Sequence, residues 1–500
     1  MAIKASTLTL GPFLGGVRYD KSAEDCEADE LAVMKNTRID ERGQVETRGG
    51  WDPYAGAAAL NTNATLTGAG QHRFSSSSER VWVIAGDKFY EYNSGYADRT
   101  GGQTITAADD NVFESASDLG SGKLLLTNGV NAPLVWSAAG GNLAAADVDS
   151  RFTSCYHVKF WNNRAWWGNT NDAEDAIWKS DVGDVTAYSA VTADYLLGLP
   201  NTGIAPFGNS LSLHAEDGIW TLSPTGNATI PYQLQEKTQQ GSLSGRAIVT
   251  IPGGRQLFVR RDGIYMWRGG DSVERQAALG DRYWDTINTS RLEYAHAIYN
   301  QLRNEVWFFL PATPSTLTNN IMVYQVALDA WFGPYSGDTF NCSGIVDDKP
   351  HGGDDNGRLW DLNTGNNDNG VAIAASYTTG APAPEGGATM VRWLYGKHYY
   401  ENLGNWTANI QQESSGIQGT YESINMGPGE GSVLNTGELG TFTLSDASTL
   451  LHQDTDLGGY DPHTYLTVSN TNTDQPFGFR RHHLQYKILG KKRKKKAGVE

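Results

Sequence analysis

The stretch HAEDGIWTLSP (residues 214–224) and the stretch VRRDGIYMWRG (residues 259–269) each place an apolar residue and an aromatic residue directly after an Asp-Gly pair. An Asp-Gly pair between alternating apolar residues is typical of a two-residue hairpin with a type I′ turn, whose turn residues have positive φ angles. Each stretch is therefore predicted to form one half-buried antiparallel strand pair. Their likeness indicates a structural unit that the chain repeats.

The repeat extends along most of the chain. Five further stretches place an apolar or aromatic anchor after a turn: GDKFYEYN, NAPLVWS, DAIWKSD, NNIMVYQV and NGRLWDLN. The seven anchors are Tyr90, Leu134, Trp178, Trp220, Tyr265, Tyr324 and Trp360. Their successive spacings are 44, 44, 42, 45, 59 and 36 residues, with a mean of 45. A loop insertion at PATPSTLTNN (residues 311–320) explains the uneven last pair, because it displaces Tyr324 within its unit.

A strand-rich repeat of this length predicts an all-β chain built on a β-propeller of about seven blades, with blades of roughly four strands. The composition agrees, because 58 of the 500 residues are Gly, against a usual share of about 7%. The alternative is a β-sandwich whose hairpins only look periodic.

Changes in composition divide the chain into five parts. Residues 1–50 are predicted to form an extended N-terminal arm with a short helix in DCEADELAVMKNTR (residues 25–38). Residues 51–375 form the propeller. Residues 376–390 are rich in Gly, Pro and Ala and are predicted to be a linker, residues 391–490 a small β-sandwich, and residues 491–500 a basic tail.

The sequence gives no sign of export or of a membrane span. It lacks the apolar run of a secretory signal and any segment of 18 or more apolar residues, so we expect a soluble protein made in the cytoplasm. Cys26, Cys155 and Cys342 lie far apart and form no CxxC pair. They are predicted to be buried apolar side chains and not metal ligands or a disulfide framework.

We predict no catalytic residues, no metal site and no cofactor. Glycan hydrolysis requires two carboxylates on either side of one bond, and the candidates Asp217 and Asp262 both lie in predicted turns, where Asp is favoured for the turn itself. Residues 361–370 (DLNTGNNDNG) carry oxygen ligands at alternate positions, but the segment lacks the bidentate Glu of a calcium loop and is predicted to be a hairpin turn. His482 and His483 are adjacent, so on a strand they point to opposite faces.

The charge is strongly uneven. The net charge is −17, and because residues 491–496 contribute six positive charges, the rest of the chain sums to −23. An acidic surface repels nucleic acid at long range, which disfavours a body that grips DNA. The six basic residues are predicted to contact an acidic partner or DNA phosphate: Lys491, Lys492, Arg493, Lys494, Lys495 and Lys496. The alternative is a solvated end that aids solubility.

The order of several stretches resembles the propeller-type tail proteins of tailed bacteriophages. These stretches are FLGGV, NTRIDERGQVETRGGW, IWKSDVGDVTAYS, GIAPFGNSLSLHAEDGIWTL, RDGIYMWRGG, AIYNQLRNEVWFFLP, NNIMVYQVALDAWF and GGDDNGRLWDLNTG, between about residues 10 and 370. The family includes the nozzle, tail-hub or packaged-DNA stabilisation proteins of short-tailed phages. MVRWLYGKHYYENLGNWTANI is similar to the strand-rich domain that often follows. The succession in order carries the resemblance, and no single motif does.

The resemblance implies a structural virion protein of the phage tail. Such proteins assemble as a ring, usually homohexameric, below the portal and adaptor, and contact other tail proteins and, transiently, the genomic DNA in the lumen. A lumen lined with carboxylates would let DNA slide, because like charges repel. Two other functions stay open: a receptor- or glycan-binding propeller of the tail, and, less favoured, a glycan hydrolase.

Overall fold

The computed structural model describes residues 5–56, 60, 64–146, 153–185, 187–188, 194–384, 386–387, 389–414, 417–427 and 450–491. In these residues the chain is all-β, which confirms that part of the predicted fold. The helical pieces are short: α1 (Gly280–Trp284) and 3₁₀ turns at Ala23–Asp25, Tyr54–Gly56, Gly245–Ala247, Ala277–Leu279 and Thr289–Tyr294. No helix in the described part of the chain is long and apolar enough to cross a membrane.

The first strands are β1 (Ser6–Leu10), β2 (Gly16–Val17), β3 (Glu30–Lys35), β4 (Thr37–Ile39), β5 (Val45–Thr47) and β6 (Trp51–Pro53). The helix predicted within residues 25–38 is wrong, because β3 occupies its centre. Strand β3 lies between β2 and the later strand Ala375–Thr379, so both of its edges are paired. Both of its faces are also covered, because Leu31 and Ala32 are adjacent, point to opposite faces and are both buried. A strand buried on both faces reads as a continuous apolar run, and Leu31, Ala32 and Met34 are all buried.

Seven four-stranded antiparallel sheets follow in the described residues. Sheet 1 contains β7 (Leu66–Ser75), β8 (Ser78–Ala85), β9 (Lys88–Tyr92) and β10 (Tyr96–Asp98), and sheet 2 contains β11 (Glu114–Asp118), β12 (Lys123–Thr127), β13 (Leu134–Trp136) and β14 (Ala144–Ala145). Sheet 3 contains β15 (Cys155–Trp161), β16 (Arg164–Thr170), β17 (Ala173–Lys179) and β18 (Tyr195–Leu196), and sheet 4 contains β19 (Gly203–Phe207), β20 (Ser210–Ala215), β21 (Gly218–Pro224) and β22 (Tyr232–Thr238). Sheet 5 contains β23 (Val249–Ile251), β24 (Arg255–Arg260), β25 (Gly263–Trp267) and β26 (Val273–Arg275). Sheet 6 contains β27 (His296–Asn300), β28 (Glu305–Leu310), β29 (Asn320–Gln325) and β30 (Ala330–Tyr335), and sheet 7 contains β31 (Phe340–Val346), β32 (Lys349–Asp354), β33 (Leu359–Leu362) and, from the start of the chain, β6.

Every predicted anchor lies on the third strand of its own sheet, from Tyr90 on β9 to Trp360 on β33. The 59-residue spacing between Tyr265 and Tyr324 has two structural sources. One is the loop at residues 311–319 between β28 and β29, as predicted, and the other is the segment at residues 276–295, which carries α1 and two of the 3₁₀ turns.

The first strands of the sheets contact one another in sequence order. Strand β7 contacts β11, and the contacts continue through β15, β19, β23, β27 and β31, which in turn contacts β7. Glycines permit this close approach. A Cβ on Gly344 of β31 would lie 2.5 Å from the carbonyl oxygen of Ala69 on β7, far inside normal contact.

The predicted type I′ turns are wrong at both Asp-Gly pairs. Gly218 and Gly263 begin the strands that follow, the two-residue turns are made by residues 216–217 and 261–262, and neither Gly has a positive φ. Their lack of a side chain serves close packing instead. A Cβ on Gly218 would lie 2.3 Å from the ring of the anchor Trp220.

Two six-stranded sheets complete the structure, built from both ends of the described chain. The remaining strands are β34 (Ala375–Thr379), β35 (Thr389–Glu401), β36 (Thr407–Ser414), β37 (Ile417–Asn425), β38 (Leu450–Asp456), β39 (Tyr465–Asn470) and β40 (Gly478–Lys491). Sheet A has the order β38-β35-β40-β5-β4, with β1 also paired to β40, and sheet B has the order β2-β3-β34-β39-β36-β37. The segment predicted as a linker, residues 376–390, begins inside β34 and ends inside β35. One buried apolar cluster runs from sheets 5 and 6 into sheets A and B.

Candidate functional site at the meeting point of the first strands

Two cavities lie where the first strands meet. The inner cavity, of about 170 Å³, is lined by residues of β7, β11, β15, β27 and β31, including Gly68, Glu114, Lys159, His296 and Cys342. The outer cavity, of about 400 Å³, is lined by β15, by the loop after β12 and by the segments that precede β11, β23 and β27, including Asp110, Asn128, Tyr156, Glu293 and Tyr294. Glu114 and Arg246 line both cavities. A volume of about 300–1,000 Å³ is typical of small-molecule sites.

A charged cluster occupies one wall of the cavities. His157 donates from Nδ1 to Oε2 of Glu114 at 2.9 Å, and Lys159 pairs with Oε1 of the same carboxylate. His157 and Lys159 face the same way because they are two residues apart on β15. Burial alone would raise the pKa of Glu114, but Lys159 and His157 outweigh it and lower the pKa to about 2. Glu114 is therefore a carboxylate whose two oxygens are both engaged.

Arg246 is attracted to the Glu114 carboxylate of this cluster but does not bond to it. It is the central residue of the 3₁₀ turn Gly245–Ala247, ahead of β23. Its Nη1 is buried and has no hydrogen-bond partner among the described residues. Burial lowers the pKa of Arg246 below its usual value, although Glu114 acts against this. Gly245 brings the turn close to the cluster, because a Cβ there would lie 2.7 Å from Cε1 of His157.

His296 and Cys342 add polar groups to the inner cavity without adding charge. The ring of His296 stacks on Phe309, with centroids 4.5 Å apart, and its buried Nε2 has no described partner. Burial, with Arg246 nearby, lowers the pKa of His296 to about 3, so its ring is neutral. Burial raises the pKa of Cys342 to about 12, so its sulfur stays a thiol and is a poor nucleophile.

Contacts between distant sheets surround the outer cavity. Arg291, which precedes sheet 6, pairs with Asp110, which precedes sheet 2, at 2.6 Å. Asn341 of sheet 7 donates to the carbonyl oxygen of Asp109 at 2.8 Å. The loop before sheet 2 is thereby tied to sheets 6 and 7. Tyr156 lines this cavity and is 51% exposed.

The carboxylates singled out in the sequence lie away from these cavities. Asp217 and Asp262 are exposed at hairpin turns of sheets 4 and 5. Asp262 accepts a hydrogen bond from the hydroxyl of Tyr265 at 2.7 Å. Their neighbours Glu216 and Arg261 form an ion pair between the two turns.

The segment at residues 361–370 uses its oxygens within the fold. Asn363 Oδ1 accepts from the Gly49 amide at 3.1 Å, and Asp368 accepts two bonds from Arg48. No group of three or more His, Cys, Asp or Glu side chains that could hold a metal occurs among the described residues.

The other sequence candidates lie on β40 and beyond it. His482 is buried, whereas His483 is half-buried against Tyr399. Lys491 is the last residue of β40, and Lys492, Arg493, Lys494, Lys495 and Lys496 lie outside the described residues. The predicted contact of this basic run therefore stays a prediction.

Sequence reasoning missed Arg246 and the Glu114 cluster. Each comes from a different repeat unit, and neither GRAIV nor NVFES contains a catalytic or binding motif. Aligning the seven repeat units would have revealed these residues. Arg246 and Glu114 are charged residues near the start of a first strand, where buried uncharged side chains are expected.

Comparisons with known proteins leave the family open. No protein-family model matches the chain, and no curated protein does. The extracellular domain of a hybrid two-component system of B. thetaiotaomicron has a TM-score of 0.42 and 9% identity over 79% of this chain; the match spans only 57% of that chain's own length. Hsv2 of Kluyvelomyces marxianus has a TM-score of 0.32 and 11% identity, covering 49% of this chain and 70% of that one. Likenesses this weak indicate no ligand, partner or activity.

Proposed function

We propose that the seven four-stranded sheets close into a seven-bladed β-propeller. Two observations support closure over an open β-sandwich arrangement. The first strands contact one another in series and return from β31 to β7. In addition, β6 from the start of the chain supplies the fourth strand of sheet 7 by pairing with β33, which joins the beginning of the repeat to its end.

On this basis the protein is a structural virion protein of a bacteriophage tail that forms a ring, the nozzle or hub, below the portal and adaptor. The observation that carries this proposal is the order of units. Seven repeated sheets are followed by a strand-rich unit that contains MVRWLYGKHYYENLGNWTANI within β35, β36 and the loop between them. This is the order of the tail proteins that the sequence resembles.

The size of the cavities supports a DNA path outside the single chain. Cavities of about 170 and 400 Å³ hold a small ligand and not a nucleic-acid duplex. The path for DNA therefore lies between copies of the chain, in the lumen of a homohexameric ring. The acidic body of the chain would line this lumen and repel the phosphates.

A receptor- or glycan-binding propeller of the tail is the second candidate. The exposed ring of Tyr156 at the outer cavity favours it, because aromatic faces at a concave site bind the apolar faces of ligands. The two functions differ in position on the particle, one at the portal axis and one at the periphery.

The deciding experiment is a density map of the intact particle with the chain located by a bound antibody fragment. We expect six copies in a ring on the tail axis, in contact with the portal or adaptor. A peripheral or distal position would favour the receptor-binding function, and absence of the chain from particles would overturn both. We also expect no turnover of capsular or cell-wall polysaccharides by the purified chain, since Asp217 and Asp262 serve hairpin turns.

A further inference from the structure

Arg246 lies where the inner and outer cavities meet, and Glu114 acts on its charge without forming a bond to it. It lines both cavities, and its buried Nη1 has no hydrogen-bond partner among the described residues. A buried donor without a partner costs free energy, and the cost is larger when the group is charged. Such an arrangement is expected where a ligand completes the bonding.

The nearby carboxylates of the protein do not fill this role. Glu114 is engaged by His157 and Lys159, with the His157 bond at 2.9 Å. Asp110 is engaged by Arg291 at 2.6 Å. The inner cavity is lined by two cations, Lys159 and Arg246, and by one carboxylate, Glu114, so its lining carries an excess of positive charge. An anionic group from outside the chain would balance it.

The surroundings favour a carboxylate over a phosphate. A guanidinium presents parallel N–H donors that match the two oxygens of a carboxylate. Glu114 lies on the wall and Glu293 is exposed at the outer cavity, so a second negative charge on the ligand would be repelled. The neutral ring of His296, with its unpartnered Nε2, offers one further hydrogen bond in the inner cavity.

We infer that the paired cavities bind a small organic monocarboxylate, whose carboxylate group pairs with Arg246 and whose remaining atoms occupy the outer cavity beside Tyr156. The volume of about 400 Å³ suits a ligand of the size of a sugar acid. This site lies within a single chain, so it acts independently of the ring assembly.

Calorimetric titration of the full chain tests the site with three probes: D-glucuronate, D-glucose, which lacks the carboxylate, and inorganic phosphate. We expect one molecule of glucuronate to bind per chain, at least about tenfold more tightly than glucose or phosphate, because only its carboxylate matches the parallel N–H donors of Arg246 without adding a second negative charge. Arg246→Gln should remove this preference. The matched control is Arg268→Gln, which alters an arginine 55% exposed outside the cavities and should leave binding unchanged.

The thermal midpoint distinguishes a binding role from a structural one. Because Nη1 of Arg246 has no described partner, Arg246→Gln should melt no lower than the parent chain. If that variant fails to fold, Arg246→Lys, which keeps the charge but loses the two-pronged geometry, should still bind glucuronate more weakly than the parent. Equal binding of glucuronate and glucose, a preference for phosphate, or unchanged binding in either Arg246 variant would overturn the inference. The titration uses the isolated chain, so its failure says nothing about a ring on the particle.

Discussion

Two arginines of this chain have opposite surroundings, and the contrast separates a structural side chain from a binding one. The side chain of Arg48 is 1% exposed, and all five of its N–H groups find acceptors. Two of them reach Asp368 at 2.8 and 2.6 Å, and the guanidinium lies 3.7 Å from the ring centroid of Trp51. Arg246 has none of this support at Nη1. Arg48 therefore stabilises the fold, whereas Arg246 is available to a ligand.

Replacing Arg48 should be costly. Arg48→Met leaves the Asp368 carboxylate without its cation, and removal of one member of a buried pair costs about 3–5 kcal/mol. We expect urea unfolding followed by tryptophan fluorescence to show a loss of that order. The matched control is Arg73→Met, since Arg73 and Glu79 form an exposed pair at 3.5 Å and such pairs contribute about 0–1 kcal/mol. Equal stability of the two variants would contradict the structural role of Arg48.

The contact between β31 and β7 depends on the absence of a side chain at Gly344. A Cβ on Gly344 would lie 2.5 Å from the backbone oxygen of Ala69, and a backbone atom cannot move aside as a side chain can. Gly344→Ala should lower the free energy of unfolding by about 1–3 kcal/mol, the usual range for overpacking. Gly270→Ala is the control, because no atom lies within 4 Å of the added Cβ. A thermal midpoint of Gly344→Ala equal to that of the control would argue against a tight β31–β7 contact.

Sheets A and B are joined by a chain of buried hydrogen bonds. The hydroxyl of Tyr377 on β34 lies 2.9 Å from Nε2 of His482 on β40. The Nδ1 atoms of His482 and His398 are 2.8 Å apart, and Nε2 of His398 lies 2.7 Å from Oγ1 of Thr455. Every ring nitrogen of the two histidines has a hydrogen-bond partner when both imidazoles are neutral and each group donates to the next one in the series. Burial lowers the pKa of His398 to about 3 and the pKa of His482 well below its usual value, the latter with His398 and His483 contributing.

This chain of hydrogen bonds predicts that the protein loses stability in acid. The unfolded chain binds protons at the ordinary histidine pKa of about 6.5, whereas folded His398 does not bind one until about 3. Stability is therefore fully present above pH 6.5 and falls as the pH is lowered from there towards 3. Between pH 7 and pH 5 we expect a loss of roughly 2 kcal/mol for each histidine that stays neutral.

Urea unfolding at both pH values measures this loss. His398→Gln should reduce the pH dependence, because one buried imidazole no longer has to stay neutral. His452→Gln, at an exposed position on β38, should leave the dependence as it is. Equal pH dependence in the parent and in His398→Gln would mean that the pair does not control acid stability.

The sequence predicted the elements that repeat locally and missed those that pair over long distances. The anchors Tyr90 to Trp360 found the third strand of every four-stranded sheet, because apolar alternation and turns recur in each unit. The pairing of β3 with β34 and of β1 with β40 leaves no local trace, so residues 1–50 read as an arm. The run around Leu31 read as a helix because a strand covered on both faces lacks alternation. Arg246 could not be singled out from the sequence, because what distinguishes it is a buried Nη1 without a described hydrogen-bond partner, which only the three-dimensional structure reveals.

The two ends of the described chain share one structural unit. Strand β40 pairs with β35, β1 and β5, so a single strand holds residues 6–10, 45–47 and 389–401 together. The basic run begins at the last residue of this strand, and its starting point is therefore fixed on sheet A. The remainder of the chain has the opposite charge, −23 in total. An acidic partner would be attracted by the basic run and repelled by the rest of the chain.

We predict that deleting residues 492–499 leaves the fold intact and weakens attachment to such a partner. The circular dichroism spectrum and the thermal midpoint should not change, because the deletion begins after β40 ends. Binding of the parent chain to random-sequence duplex DNA should weaken with salt, and each phosphate neutralised contributes about −0.9 to the slope of log K against log salt. The deletion should remove most of that slope, and a variant with Gln at 492–496 should behave the same way. If the chains bind DNA alike at low and high salt, and assemble into particles at equal copy number, the basic run is a solubility device.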